Sequence, residues 1–406
     1  MTTKYGLSPW IREIPKSKQP SFPRLRGEHE SAVAVIGGGL TGVFTAQALA
    51  ASGVKVALVE AERLGSGTSG RSTGLMAPEP ASSYRELEQR HGRRAARAMH
   101  EMSRRAALDL AAAARRLRVQ AHLHPLAAYR YVPLYQSPAD LQREATARQR
   151  AGLDAAWRRP ADLARELALQ SEGGARLAPW AWANPYRLLL GFAAAAVKRR
   201  AAIFERSRVT RVRPGAAGVE VVTEGGRLLA GTVIVCTAEP GPLFRQLARH
   251  VTTLERYAVL TEALPAPVRK ALGRRGAIVS AAGAIDDAAA FVHGDRLLLT
   301  GAAQKPTSAR ARDKVLVQRT GQLMYEALTT WPAISGLQPA FGWEIRTTMG
   351  ADGAMFAGPH RNFPRHLFAW GADHDPARAF LASRILLRHH QGAASKSDDH
   401  FALTRS

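Results

Sequence analysis

Apolar positions recur along this chain with two periods, and the switches between them mark its elements. Ala32 to Ile36 is a short continuous apolar run that ends in glycines, which predicts a buried strand. Helical spacing takes over from about Thr41 to Ser52 and stops at Gly53. Val54 to Val59 then reads as a second, parallel strand. The pattern is helical again from about Ser83 to Arg118, Ala139 to Arg158, Pro185 to Arg199, Thr320 to Thr330 and Pro376 to His389. Strands are predicted over Ala128 to Tyr135 and Ala202 to Phe204, and a β-meander over 208–236 turns at Gly225-Gly226. Further strands fall at Tyr257 to Glu262, Ala277 to Ser280 and Arg296 to Thr300. Residues 1–30, rich in Pro, Lys and Arg, read as an extended arm that Trp10 and Phe22 tack to the body. The polar tail 393–406 reads as mobile, with Phe401 as a possible anchor.

The first of these switches carries chemistry. Gly37, Gly39 and Gly42 stand in Gly-x-Gly-x-x-Gly spacing between a strand and a helix. Gly37 permits the tight turn, Gly39 lets backbone approach a pyrophosphate, and Gly42 lets the helix lie close on the strand. The helix start, Leu40 and Thr41, offers N–H groups and the positive end of the dipole to phosphates. Glu60 ends the second strand about 20 residues on, where a carboxylate holds a ribose hydroxyl pair and repels a 2′-phosphate. A second glycine-rich stretch, Gly65 to Gly74, suits backbone passing close to a flat ligand.

Composition narrows the class. With 406 residues and 46% hydrophobic content the chain can bury a large core. The net charge of +24 raises a nucleic-acid or acidic-membrane partner. The arginines, however, are spread along helices as pairs such as Arg93-Arg94 and Arg104-Arg105 without interleaved aromatics, which argues against a nucleic-acid site. Cys236 is the one cysteine and sits in an apolar run, so disulfides within the chain are excluded. His122 and His124 lack supporting acids or thiols, so no metal is expected. The longest apolar stretch, Leu188 to Val197, is too short to span a bilayer, and the first residues lack the apolar core of a signal peptide. The expectation is a soluble, cytoplasmic protein.

Taken together, five segments resemble the D-amino-acid oxidase-like (DAO) family of FAD-dependent oxidoreductases, which includes sarcosine, glycine and γ-glutamylputrescine oxidases. They are Val35 to Gly42 with Glu60-Ala61, Gly65 to Gly74, Asn184 to Arg187 with Glu205 to Val209, Thr232 to Ala238, and Asp352-Gly353 through Ala357-Gly358-Pro359. The resemblance implies an α/β (α+β) architecture: a Rossmann-like FAD-binding domain from 31–80, 185–250 and 345–392, and a mixed-sheet substrate-capping domain from 81–184 and 251–344. It implies that Gly37, Gly39, Leu40, Thr41 and Gly42 hold the pyrophosphate and Glu60 the adenosine ribose. Val209 would meet the adenine, and Thr237 would lie near the dinucleotide. Ser69, Arg71, Ser72, Gly74, Gly358 and Gly371 would lie near the flavin. The implied reaction passes a hydride from a carbon beside an amine to flavin N5, with oxygen or another acceptor taking the electrons onward.

The pattern departs from the family at Gly371-Ala372-Asp373-His374-Asp375-Pro376, where a glycine-rich turn is usual. Asp375 with Pro376 makes a good helix start. It also puts negative charge where a reduced flavin wants positive charge, which a protonated His374 would offset. Arg346 is the candidate for a substrate carboxylate, with His374 as the other candidate near the reacting atoms. Tyr131 and Tyr257 are candidates to line the pocket. The leading expectation is oxidation of a small-molecule amine or amino acid. The alternatives are a flavin-binding protein with weak or no catalysis, or a flavoprotein acting near RNA.

Overall fold

A computed structural model describes every residue except 1, 216–217, 274–275, 284–286, 293–294, 351, 373 and 406. Among the described residues the strands form two sheets. The first is built on five parallel strands in the order His366–Trp370, Gly226–Val235, Gly27–Ile36, Val56–Val59 and Ala202–Phe204. These strands read as continuous apolar runs because both faces of the sheet are covered. Val33 and Val35 pack on one face, against helices Leu40–Ala51, Pro185–Lys198 and Pro376–His390. Ala34 and Ile36 pack on the other, beneath the meander strand Val219–Thr223. Phe44 joins the three helices, with its ring 4.5 Å from Phe192 and 5.8 Å from Phe380.

The second sheet is mixed and runs from Lys4–Tyr5 through Pro339–Met349, Thr252–Ala263, Arg296–Gln304, Ala288–Val292, Ala277–Ala281, His124–Tyr131 and Gly174–Trp182 to Leu75–Met76. Helix Arg312–Thr330 covers one face, and Trp10, Trp182 and Trp343 pack on the other. Helix Tyr84–Arg116 falls within 81–184, yet its buried face joins the core of the first sheet. A capping box of Ser83 and Glu86 starts it.

Several expectations shift. The helix expected over 139–158 ends at Arg150, where Gly152 (φ 76°) terminates it, and Ala155–Arg158 pairs with Gly174–Trp182 as a strand. The helix expected from Thr320 starts at Arg312. The arm is extended only in part: Lys4 and Tyr5 pair with Phe341 and Gly342, and Pro9–Arg12 is a short helix. Trp10 is buried and donates from Nε1 to the Ser72 carbonyl at 2.7 Å, while the Ser8 hydroxyl donates to the Gly70 carbonyl. The tail is not loose. Phe401 and Leu403 are buried, and Arg405 forks onto Asp352 with two 2.8 Å bonds.

A buried ionic cluster ties strand His124–Tyr131 and helix Ala139–Arg150 to the segment after Leu75–Met76. Glu79 lies between Arg130 and Arg148, and Glu144 accepts from Arg148 Nε at 2.7 Å and from the Tyr84 amide at 2.8 Å. His100 is buried beside this cluster. Burial, then the charge of Arg148, lowers its pKa from 6.5 to about 4. Between those values the unfolded chain binds a proton that the folded protein refuses, so stability falls as pH drops from 6.5 to 4. His100→Leu is expected to remove that component, roughly 3 kcal/mol over the window, from urea midpoints measured against pH. An unchanged pH slope would contradict it.

Candidate functional site

Three parallel strands end together at Ile36, Val59 and Val235. Beyond their carboxyl ends opens a cleft of about 320 Å³, the position where open α/β sheets bind ligands. It is lined by Gly37 to Gly39, by Glu60 and Ala61, and by Arg208, Val209 and Thr237 to Phe244. The glycines are required by contact. Gly37 has φ 111°, and a Cβ there would lie 2.6 Å from the Cys236 carbonyl oxygen. A Cβ on Gly42 would lie 1.9 Å from the Gly37 carbonyl oxygen. Gly39 is extended and caps the helix, accepting at its carbonyl from the Val43 amide.

Glu60 accepts from the Gly38 amide at 2.6 Å and from the Glu62 amide at 2.8 Å. Burial raises its pKa against those two bonds. A carboxylate has about four acceptor sites, so ribose hydroxyls can share its oxygens. The Ser69 hydroxyl accepts from the Leu40 amide at 2.8 Å, which ties the second glycine-rich stretch to the helix start. That stretch contains a helical turn, Thr68–Arg71, rather than loop alone. Val209 and Thr237 stand at the cleft, and the Thr237 hydroxyl donates to the Glu239 carbonyl. The strand ends, the glycine contacts and the placement of Glu60 fit the adenosine diphosphate half of a dinucleotide.

At the other end, Ser72 donates to the His374 carbonyl at 2.7 Å and accepts from the Gly74 amide at 3.0 Å. Asp375 caps helix Pro376–His390. One oxygen accepts from the Ala377 and Arg378 amides, and the other accepts from the Ala77 amide at 3.1 Å. Gly371 has φ 83° and Gly358 φ 147°, while Asp373 lies outside the described residues. Arg378 Nη1 sits 3.0 Å from His374 Nε2, and a guanidinium only donates, so that nitrogen is the acceptor in this contact. Arg378 brings a permanent positive charge beside His374, and sequence alone did not single it out. Its one signal was spacing, three residues after the cap Asp375 on a helix.

A second cleft of about 370 Å³ adjoins the first at Gly67, Thr68, Ala238 and Glu239. Arg71 reaches Glu344 at 2.9 Å, and Arg312 pairs with the same carboxylate. Arg346 lies here, 52% exposed and 3.7 Å from Glu255. Tyr257 is buried under helix Arg312–Thr330 and accepts from Gln304 at 3.0 Å. Tyr131 lines a shallow pocket with Val279 and Leu323. Tyr131 lines neither the cleft of Arg346 nor the pocket of His374, whereas the Tyr257 hydroxyl lies 3.4 Å from Glu255, the carboxylate that neighbours Arg346. A third, small pocket of about 40 Å³ lies between Thr73, Leu75, Trp180, Arg256, Thr347 and the His374–Arg378 pair. Arg256, Thr347 and Trp180 are additions that sequence did not offer. Finding them needs strand register.

Residues 32–380 match the family profile described as DAO, FAD dependent oxidoreductase. The probable oxidoreductase OrdL of Rhizobium meliloti is 26% identical over 270 residues, 65% of this chain. The matched region spans only 63% of OrdL and 42% of a second curated relative, so the chain covers less than two thirds of either. Glycine oxidase from Geobacillus kaustophilus superimposes over 93% of this chain and 99% of its own, with TM-score 0.77 and 20% identity. L-amino acid deaminase from Proteus vulgaris does so over 95% and 100%, with TM-score 0.76 and 13% identity. At these identities the two structures speak to the fold. No helix among the described residues is long and apolar enough to cross a membrane.

Proposed function

The chain belongs to the DAO family of FAD-dependent oxidoreductases, and on that premise we propose that it oxidises the C–N bond of a small amine or amino acid. The observation that carries the reading is the cleft at Gly37–Gly39, whose shape fits the adenosine diphosphate end of FAD within a family match covering most of the chain. The proteins it superimposes on act on glycine and on L-amino acids by name, which supports an amine or amino-acid substrate.

Gly37, Gly39 and the helix start at Thr41 would hold the pyrophosphate, with the Leu40 amide already taken by Ser69. Glu60 would hold the ribose, and Val209 and Thr237 the adenine end. Ser69, Ser72 and Gly74 would guide the cofactor toward the start of helix Pro376–His390, with Arg71, Gly358 and Gly371 shaping its surroundings. Bound FAD supplies a two-electron acceptor at N5, leaving an imine that water hydrolyses. The protein's part is orientation and charge. Asp375 occupies the helix-start amides, so Arg378 is the group that offsets negative charge at that end. Oxygen or another acceptor would take the electrons onward. Nothing in the comparisons favours the idle flavin binder or the RNA-associated flavoprotein.

The test is anaerobic absorbance of purified protein against a panel of small amines and amino acids. The expected result is a yellow protein whose visible band bleaches with at least one of them. Protein that takes up no FAD, or FAD that no panel member reduces, sinks the reading.

A further inference from the structure

The net charge of +24 is not spent on the cofactor cleft, whose lining sets one cation, Arg208, against two carboxylates, Glu60 and Glu239. A separate cleft of about 760 Å³ concentrates it. Three pieces of chain line that cleft: the arm from Glu13 to Lys18, the end of helix Tyr84–Arg116 with the residues up to Gln120, and helix Pro185–Lys198. On the last of these the lining residues are Arg187, Leu190, Gly191, Ala194, Ala195 and Lys198. They recur at helical spacing and so form one face. A cation stands at each end of it, separated by about 16 Å of helix rise, with small and apolar residues between.

Two features of this cleft point to an anionic partner. The first is an imbalance of charge. Lys18, Arg116, Arg118, Arg187 and Lys198 line it against a single carboxylate, Glu13, which already accepts from Asn184 Nδ2 at 2.9 Å. The second is that none of the five cations enters an ion pair or a side-chain hydrogen bond among the described residues. Arg187 Nε is shut off from solvent with no acceptor. Elsewhere on helix Tyr84–Arg116 the arginines find acids, as Arg97 does in Glu101 and Arg105 in Asp109. Burial, then the charge of Arg116, lowers the pKa of Arg384, so neighbouring groups feel the excess. Like charges gathered round one concavity repel each other, and its low-dielectric walls focus their field on whatever enters.

We propose that this cleft docks an acidic segment of a partner protein, whose carboxylates meet Arg187 and Lys198 at the two ends and whose apolar residues lie over Leu190 and Ala194 between them. The span of about 16 Å is too long for a single phosphate or a small dicarboxylate and calls for a chain. No aromatic residue lines the cleft, so nucleic-acid bases have nothing to stack on. None of the exposed large apolar side chains lines it either, so it offers nothing to anchor in a bilayer. A second copy of this chain, with 57 Lys and Arg to 33 Asp and Glu, would bring like charge. The docking site is independent of the oxidation reading.

The test titrates the full, FAD-loaded chain with a fluorescent Ala-rich peptide that carries glutamates at both ends of an apolar centre. A peptide of the same composition with its glutamates gathered at the centre is the comparison. At low ionic strength the first peptide should bind and the second bind more weakly. Arg116→Gln, Arg118→Gln and Lys198→Gln combined should weaken the first roughly 5- to 30-fold. Removing as many exposed charges outside the cleft, by Arg211→Gln, Arg213→Gln and Lys314→Gln, should change it by less than about twofold. FAD content and melting temperature show that both combined variants are folded, and Lys18→Gln with Lys198→Gln serves if the first combination is not. Failure of the first peptide to bind overturns the proposal, as does equal binding of the two peptides or equal weakening by the two sets of variants, since each reduces the effect to net charge. A uridine oligonucleotide or phosphatidylserine vesicles that depend on the cleft cations more steeply than the peptide also overturn it, and assign the cleft to nucleic acid or to membrane.

Discussion

Gly42→Ala is expected to yield colourless protein that no longer retains FAD and is less stable by about 1–3 kcal/mol. The added methyl would lie 1.9 Å from the Gly37 carbonyl oxygen, so either the turn or the helix has to move. The helix is held from behind by Phe44, which packs between Phe192 and Phe380. Strain therefore goes into the turn, and it displaces the backbone at Gly38 and Gly39 that walls the cleft. The check is the FAD-to-protein ratio after gel filtration together with the urea midpoint. Gly53→Ala is the control. Gly53 has φ 80°, but a Cβ there meets nothing within 4 Å, so it should cost stability through backbone strain and keep its FAD. Full FAD retention by Gly42→Ala would show that the turn does not cradle the cofactor.

Glu79→Gln should produce the second large effect, a loss of about 3–5 kcal/mol, because it leaves two buried guanidiniums without their shared carboxylate. Arg130 comes from strand His124–Tyr131, and Arg148 from helix Ala139–Arg150. Glu79 sits in the segment that links Leu75–Met76 to helix Tyr84–Arg116. Burial alone would raise its pKa, but the charges of Arg148 and Arg130 hold it down at about 2. Its ordinary value is 4.5, so the folded state favours the ionised form. That stabilisation is fully present above pH 4.5 and is lost as pH falls through about 2. Urea midpoints at neutral pH and down the acid limb check both parts. A variant as stable as the parent at neutral pH would remove Glu79 as the link between Arg130 and Arg148.

The glycine turn, Glu60 and the first strands were legible because each rests on neighbours within one βαβ unit. The turn at Gly37 needs only local backbone freedom, and the apolar runs Val33–Ile36 and Val56–Val59 need only burial on both faces. The rest needed information from far along the chain. Arg346 reads as a substrate ligand because it precedes the Asp352–Pro359 segment. Face parity, which one residue reverses, decides that it lines the outer cleft while Thr347 lines the small pocket. The setting of His374 depends on Arg378, whose guanidinium donates to the imidazole from one helical turn along. The tail looked mobile because its anchor, Asp352, lies 53 positions before Arg405. The strand Ala155–Arg158 was hidden by Ala-rich composition, and only its pairing with Gly174–Trp182 makes it a strand.

The placement of the first strands has a consequence for synthesis. Lys4 and Tyr5 wait for Phe341 and Gly342, and Gly27–Ile36 takes its place beside Gly226–Val235, which in turn needs His366–Trp370. A ribosome delivers the chain from its beginning, at roughly 5–20 residues per second. Neither sheet is complete until the last of these partners has emerged, so the early strands spend tens of seconds with unpaired edges. Their apolar faces stand open over the same interval. Slow, late closure of this kind favours capture by chaperones, and it makes cofactor uptake an event of the finished chain rather than the growing one.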